Sequence, residues 1–206
     1  GLPIAAILTA EASLFQIGSL MMGRFGAETL AAHQIAINFA SMTFMVPLSI
    51  GIAATVRVGH AAGAGDAAAV ALRGRIGIAM GFGIALVSAS IMGLLPRLIA
   101  QAYTNVDAVA RIAASFLAYA AVFQIFDGVQ ATANGALRGI KDTRVPMLVT
   151  VAAYWVVGLP LALTLAFWTS FGPAGIWVGF IGGLVVAAGG LATRFVLKTR
   201  GPLQSA

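Results

Sequence analysis

Glu11 and Asp127 are the residues of this chain whose type and setting could do chemistry. Each lies in the middle of an apolar stretch, whereas Glu28, Asp66, Asp107 and Asp142 fall in short polar breaks. A carboxylate near the centre of a hydrocarbon layer costs about 2.5–3.5 kcal/mol on insertion scales, so it needs a partner or a task. Two such acids in one small bundle point to a site for a cation or a proton. A carboxyl group removed from water favours its neutral form, which suits a proton carrier and equally suits a buried acid with one hydrogen-bonding partner.

Helical spacing enlarges the candidate site. Gln124, Gln130 and Asn134 share the face of Asp127. A row of amides around a carboxyl group is expected to line a hydrated cavity or an interhelical seam, and hydrogen bonds to those amides could also make Asp127 purely structural. Glu11 is ambiguous. Its own face (Ile4, Ile7, Leu14, Phe15, Gly18) is apolar, while Thr9, Ser13 and Gln16 form a row roughly opposite. Either face could meet the neighbouring helices. A stripe of Gln34, Asn38, Ser41, Met45 and Ser49 gives the next apolar run a polar side. Gln34, Asn38 and Ser41 are thereby candidates for lining a substrate cavity. The alternative is interhelical hydrogen bonding at about 0.6 kcal/mol per contact. Pro47 and Pro160 lie inside apolar runs, where each removes a backbone hydrogen bond and loosens the helix; Pro47 is the candidate hinge.

Other chemistries are excluded or weak. The absence of cysteine rules out disulfides and thiolate metal sites. His33 and His60 have no neighbours at metal-ligand spacing, and no HExxH or nucleophile–base pattern occurs, so no enzyme is expected. One glutamate and one aspartate, without further signature, do not make an intramembrane aspartyl protease. The run Gly59–Asp66 resembles a phosphate loop superficially but lacks Gly-Lys-Ser/Thr.

The elements that must position these residues follow from composition. Of 206 residues, 60% are hydrophobic and 9% charged, and the mean hydropathy is +0.99. A soluble domain carries about 25% charged residues. Nearly charge-free runs recur along the chain, and a helix needs about 20 apolar residues to cross the hydrocarbon. They predict an all-α, polytopic membrane protein with six spans at about 2–23, 29–56, 74–96, 109–134, 145–168 and 174–197. The continuous apolarity argues against barrel strands, which would alternate. Gly77/Gly81 and Gly175/Gly179/Gly183 suit close helix packing within the bundle.

A net charge of +6 is compatible with nucleic-acid binding, but the basic residues sort by loop. Arg24, Arg97 and Arg111 fall on one side of the membrane. Arg57, Arg73, Arg75, Arg138, Lys141, Arg144, Arg194, Lys198 and Arg200 fall on the other, three against nine. The positive-inside rule puts the second group, and both termini, in the cytoplasm. The chain enters a span directly from Gly1, so it is expected to be a piece of a longer protein.

Several motifs resemble a known family. They are Gly1-Leu2-Pro3 with Glu11, Ala31-Ala32-His33-Gln34-Ile35 with Asn38, Met45-Val46-Pro47 with Ile50-Gly51, and Arg57-Val58-Gly59 with Gly63-Ala64-Gly65-Asp66. The clearest is Phe123-Gln124-Ile125-Phe126-Asp127-Gly128, running through Gly135-Ala136-Leu137-Arg138-Gly139-Ile140-Lys141-Asp142-Thr143 to Pro146. In order and spacing they are similar to the C-terminal half of multidrug and toxic compound extrusion (MATE) transporters of the bacterial NorM type. The resemblance implies one six-helix lobe (1–197, with a cytoplasmic tail at 198–206) of a two-lobed inner-membrane antiporter. Its partners would be the lipid bilayer, an N-terminal six-helix lobe and small organic, often cationic, substrates. No cofactor is implied beyond a coupling ion, Na⁺ or H⁺, at Glu11 and Asp127. Some members add a tyrosine hydroxyl one turn before the second acid. Phe123 stands there instead, which favours H⁺ over strict Na⁺ coordination. Two other readings are a lipid-linked saccharide flippase of the same superfamily, which would call for a basic cavity, and a non-transporting membrane scaffold.

Overall fold

The computed structural model describes residues 2–200; Gly1 and residues 201–206, most of the expected tail, lie outside the described residues. Helices make up the architecture, and among the described residues there is no strand. The helices are α1 (Leu2–Gly23), α2 (Ala27–Gly63), α3 (Ala67–Leu94), α4 (Pro96–Tyr103), α5 (Asp107–Gly139), α6 (Arg144–Ala152), α7 (Leu159–Trp168) and α8 (Ala174–Lys198). A π-helical turn, Ala153–Gly158, joins α6 and α7 into one rod over Arg144–Trp168. Six helical rods are long and apolar enough to cross a membrane.

The ends of the rods depart from the apolar runs. Helix α2 continues beyond 56 to Gly63, and α3 begins at Ala67 rather than 74. The glycine-rich stretch is therefore a helix end and a tight turn. Gly65 takes a positive φ of 71°, and the Asp66 carboxylate caps α3 by accepting from the Ala69 N–H at 2.9 Å. At 37 and 33 residues, α2 and α5 are about 55 and 50 Å long. Both outreach the hydrocarbon and carry their charged ends beyond it. The stretch expected to be a polar break after span three contains α4. Proline at its first turn starts it, Ile99 and Ala100 are buried, and Leu98 is exposed.

Helix α5 is the centre of the bundle, packed by α2, α3, α4 and α8. Small residues allow this. A Cβ added to Gly51 would lie 2.8 Å from the Ala131 carbonyl oxygen, and one added to Gly135 would collide with the Gly51 carbonyl. The two backbones thus touch, and the Thr55 hydroxyl donates to the Gly135 carbonyl at 2.9 Å across the seam. Gly81 packs against Gly128 and Thr132, while Gly175, Gly179 and Gly183 meet the rod formed by α6 and α7. At the end carrying most of the basic residues, Asp142 holds α8 to the α5–α6 turn. It accepts from Arg194 Nε at 2.7 Å and lies 3.8 Å from Lys198 Nζ.

Candidate functional site

Packing decides the rotation of α1. Ile7, Ala10, Leu14 and Gly18 are buried, while Thr9 and Gln16 are exposed. The apolar face therefore turns inward and carries Glu11 with it, so the carboxylate points into the bundle rather than towards lipid. Gly18 lies against the Phe180 ring, and Phe15 packs edge-on to Phe180 and Phe123, with ring centroids 5.7 and 5.8 Å apart. Trp177 extends this aromatic group, and His33 lies edge-on to it with centroids 5.4 Å apart. The ring of Phe123 is thus a packing element, held by Phe15 and Trp177.

Asp127 occupies the centre of α5 with 4% of its surface exposed. Glu11 and Asp127 line one small cavity of about 50 Å³, walled by Phe15, Ala40, Phe44 and Phe123. The space suits a small ion or one or two waters, each of which takes about 30 Å³ in the liquid. A larger concavity of about 330 Å³ lies alongside. The two spaces share Glu11, Phe15, Ser41 and Phe44 as walls, and the larger adds Met45, Gln130, Asn134 and Arg138. Asp127 Oδ1 and Asn134 Oδ1 are buried without a hydrogen-bond partner among the described residues. Buried polar atoms of this kind call for a water, an ion or a ligand.

The other candidates separate into four groups. Ser41, Gln130 and Asn134 line the concavity. Gln124 is fully buried, with both amide atoms unpartnered, and lies outside both spaces. Gln34 and Asn38 serve the helix seams: Gln34 donates to Ser19 Oγ at 3.1 Å, and Asn38 accepts from the Tyr103 hydroxyl at 2.9 Å. Pro47 is buried inside an unbroken α2, next to the wall residues Met45 and Leu48.

Two further residues, absent from the expected site, are placed by the structure. Tyr154 is 2% exposed, in the part of its rod that packs against α1 and α8. The π turn places it. Pro160, two residues past that turn, has no N–H and its ring displaces the preceding helical carbonyl, so the rod widens. In the widened turn Tyr154 faces inward, while Trp155, Val156 and Val157 face outward. A phenol is thus turned towards the bundle interior from another helix, although Phe123 carries none. The proline within the apolar run was the available signal. Arg138 is the second. It lines the larger concavity together with Glu11, and the ladder Asp127, Gln130, Asn134, Arg138 on one face of α5 leads to it.

Comparison with known proteins supplies a frame for this geometry. The MatE family model matches residues 3–164. The chain is 47% identical over 206 residues to the multidrug resistance protein NorM of Burkholderia vietnamiensis, covering 97% of this chain and 44% of that protein. It is 45% identical over 204 residues to the multidrug resistance protein PmpM of Pseudomonas aeruginosa, covering 97% and 43%. The crystal structure of the eukaryotic MATE transporter AtDTX14 superposes with a TM-score of 0.87 at 22% identity, over 98% of this chain and 47% of that one. An outward-facing multidrug resistance MATE family transporter of the MOP superfamily superposes with a TM-score of 0.85 at 19% identity, over 99% and 45%. The chain spans about half the length of the curated relatives it matches.

Proposed function

Since the chain belongs to the MatE family, we propose that it is the C-terminal six-helix lobe of a multidrug antiporter that exports hydrophobic organic cations in exchange for Na⁺ or H⁺. The observation that carries this reading is the shared cavity of Glu11 and Asp127, contiguous with a larger concavity of mixed polar and apolar wall. Two neighbouring carboxylates repel each other, so a positive ion or a proton arriving between them lowers the energy of the pair. An organic cation attracted by the same field competes with the coupling ion, and that competition makes exchange obligatory. Loading neutralises the pair and lets α1 and α2 repack about Pro47. The lobes then rock to the opposite face, as in other repeat-built transporters. The net negative charge of the acid pair disfavours the flippase reading, since a pyrophosphate calls for a basic cavity. The distribution of basic residues supports both ends of the chain being cytoplasmic in the bacterial inner membrane.

The test is ethidium accumulation in bacterial cells making the full-length protein. Accumulation falls relative to cells without it, and the fall is reversed when the coupling gradient is collapsed, by a protonophore for H⁺ or by Na⁺ removal for Na⁺. Accumulation identical to that of control cells, with the protein present in the membrane, removes the proposal. Tyr154→Phe refines it. Loss of the phenol oxygen raises the ion concentration for half-maximal efflux about fivefold, as one neutral hydrogen bond contributes about 1 kcal/mol. An unchanged ion dependence would leave Tyr154 a packing residue.

A further inference from the structure

The concavity beside the acid pair contains a positive charge of the protein's own. Arg138 stands in the last turn of α5, eleven residues or three turns beyond Asp127 and about 16 Å along the helix axis. It lines the same wall as Glu11, Gln130 and Asn134. Yet among the described residues it forms no ion pair; both salt bridges found there belong to Asp142. Its Nε is buried and has no hydrogen-bond partner. A guanidinium remains charged at every physiological pH, so this is a fixed cation, half withdrawn from water and facing a carboxylate without being bound to it.

We propose that Arg138 is a tethered counter-charge, lining the same concavity as Glu11, that limits how tightly the pocket holds an external cation. The inference rests on the antiport reading above and adds to it a definite charge count. With both acids ionised, the site without Arg138 would carry two negative charges. Counting Arg138 on the wall of the adjoining concavity, the combined space carries one net negative charge, which favours exchange of a single positive charge per cycle. The guanidinium also limits how tightly a cation can be held. An arriving organic cation meets this like charge on the wall of the concavity, and a departing one leaves the acids with a positive neighbour in a low-dielectric pocket. Bare buried charge is costly, and a tethered positive neighbour lowers that cost without trapping the ligand. A residue that merely stabilised the helix end through its carbonyls and dipole would influence folding stability but not cation affinity.

The experiment measures binding of tetraphenylphosphonium, a hydrophobic organic cation, to the purified full-length protein. Arg138→Gln is expected to bind it about tenfold tighter, because a like charge near the site has been removed. Arg138→Lys, which keeps the charge, returns the affinity to within about twofold of the wild type by the same argument. In a Glu11→Gln background the gain from Arg138→Gln shrinks, since the partner whose charge Arg138 balances is gone. Unchanged affinity in Arg138→Gln, or an equal gain with Glu11→Gln, overturns the inference while leaving antiport intact. Wild-type protein whose tetraphenylphosphonium binding ignores Glu11→Gln overturns the antiport reading and this inference together. Where Arg138→Gln does not fold, Arg138→Met serves the same comparison.

Discussion

Asparagine in place of Asp127 abolishes drug efflux from cells making the full-length protein, while the amount of protein in the membrane stays at the wild-type level. The substitution is nearly isosteric, so packing of the most buried helix is retained. The residue is 4% exposed and its Oδ1 has no partner among the described residues, so no internal hydrogen bond at that atom is broken. What is removed is the ability to ionise. Without it the small cavity has one carboxylate where two competed, and an entering ion or proton no longer relieves repulsion between them. Ethidium accumulation should rise to that of cells lacking the protein, a loss of tenfold or more in efflux if coupling supplies at least about 1.4 kcal/mol. Wild-type efflux by a well-expressed Asp127→Asn protein would take Asp127 out of the mechanism and leave it as structural glue.

Gly135→Leu has an equally large effect of another kind: it destroys the bundle. The position lies in the central seam, where α2 and α5 touch backbone to backbone. Any Cβ there meets the Gly51 carbonyl, which belongs to a helix and cannot swing aside as a side chain would. Overpacking commonly costs about 1–3 kcal/mol, and here the helices must separate, with loss of the Thr55 hydrogen bond to the Gly135 carbonyl. The expected outcome is full-length protein that is degraded in the membrane or melts at least about 10 °C lower in detergent, the order that a few kcal/mol produces. Gly189→Ala is the control, because an added Cβ at that site on α8 meets nothing within 4 Å. A Gly135→Leu protein with wild-type melting would show that the seam can open at no cost.

The parts of this protein that were legible in its sequence share a physical basis. Crossing a membrane is a one-dimensional requirement, since a segment must be apolar for about 20 residues whatever its neighbours are. The six rods and the mid-membrane position of Glu11 and Asp127 follow from that alone. The ladder Asp127, Gln130, Asn134 was equally visible, because three polar side chains on one helix face cannot favour lipid. Element ends were less so. The extension of α2 past Arg57 lies beyond the hydrocarbon, where hydropathy carries no information, and local capping by Asp66 decides it. Helix α4 escaped notice because eight residues of amphipathic sequence look like a polar break unless Pro96 is taken as a start signal.

Rotation was the property that the chain alone left open. Glu11 lies on an apolar face with a polar row opposite, and both arrangements satisfy the same one-dimensional requirement. The choice depends on Gly18 admitting the Phe180 ring and on Phe15 filling the space beside Phe123. Those contacts exist only once three helices have met. The same holds for Tyr154, turned inward by the widened turn before Pro160, and for Gln34 and Asn38, drawn into seams with Ser19 and Tyr103. Composition thus determined how many helices cross and which charges they bring into the membrane. Only tertiary packing decided which of those groups face one another, because the free energy of turning a helix about its axis resides in its neighbours rather than in its own residues.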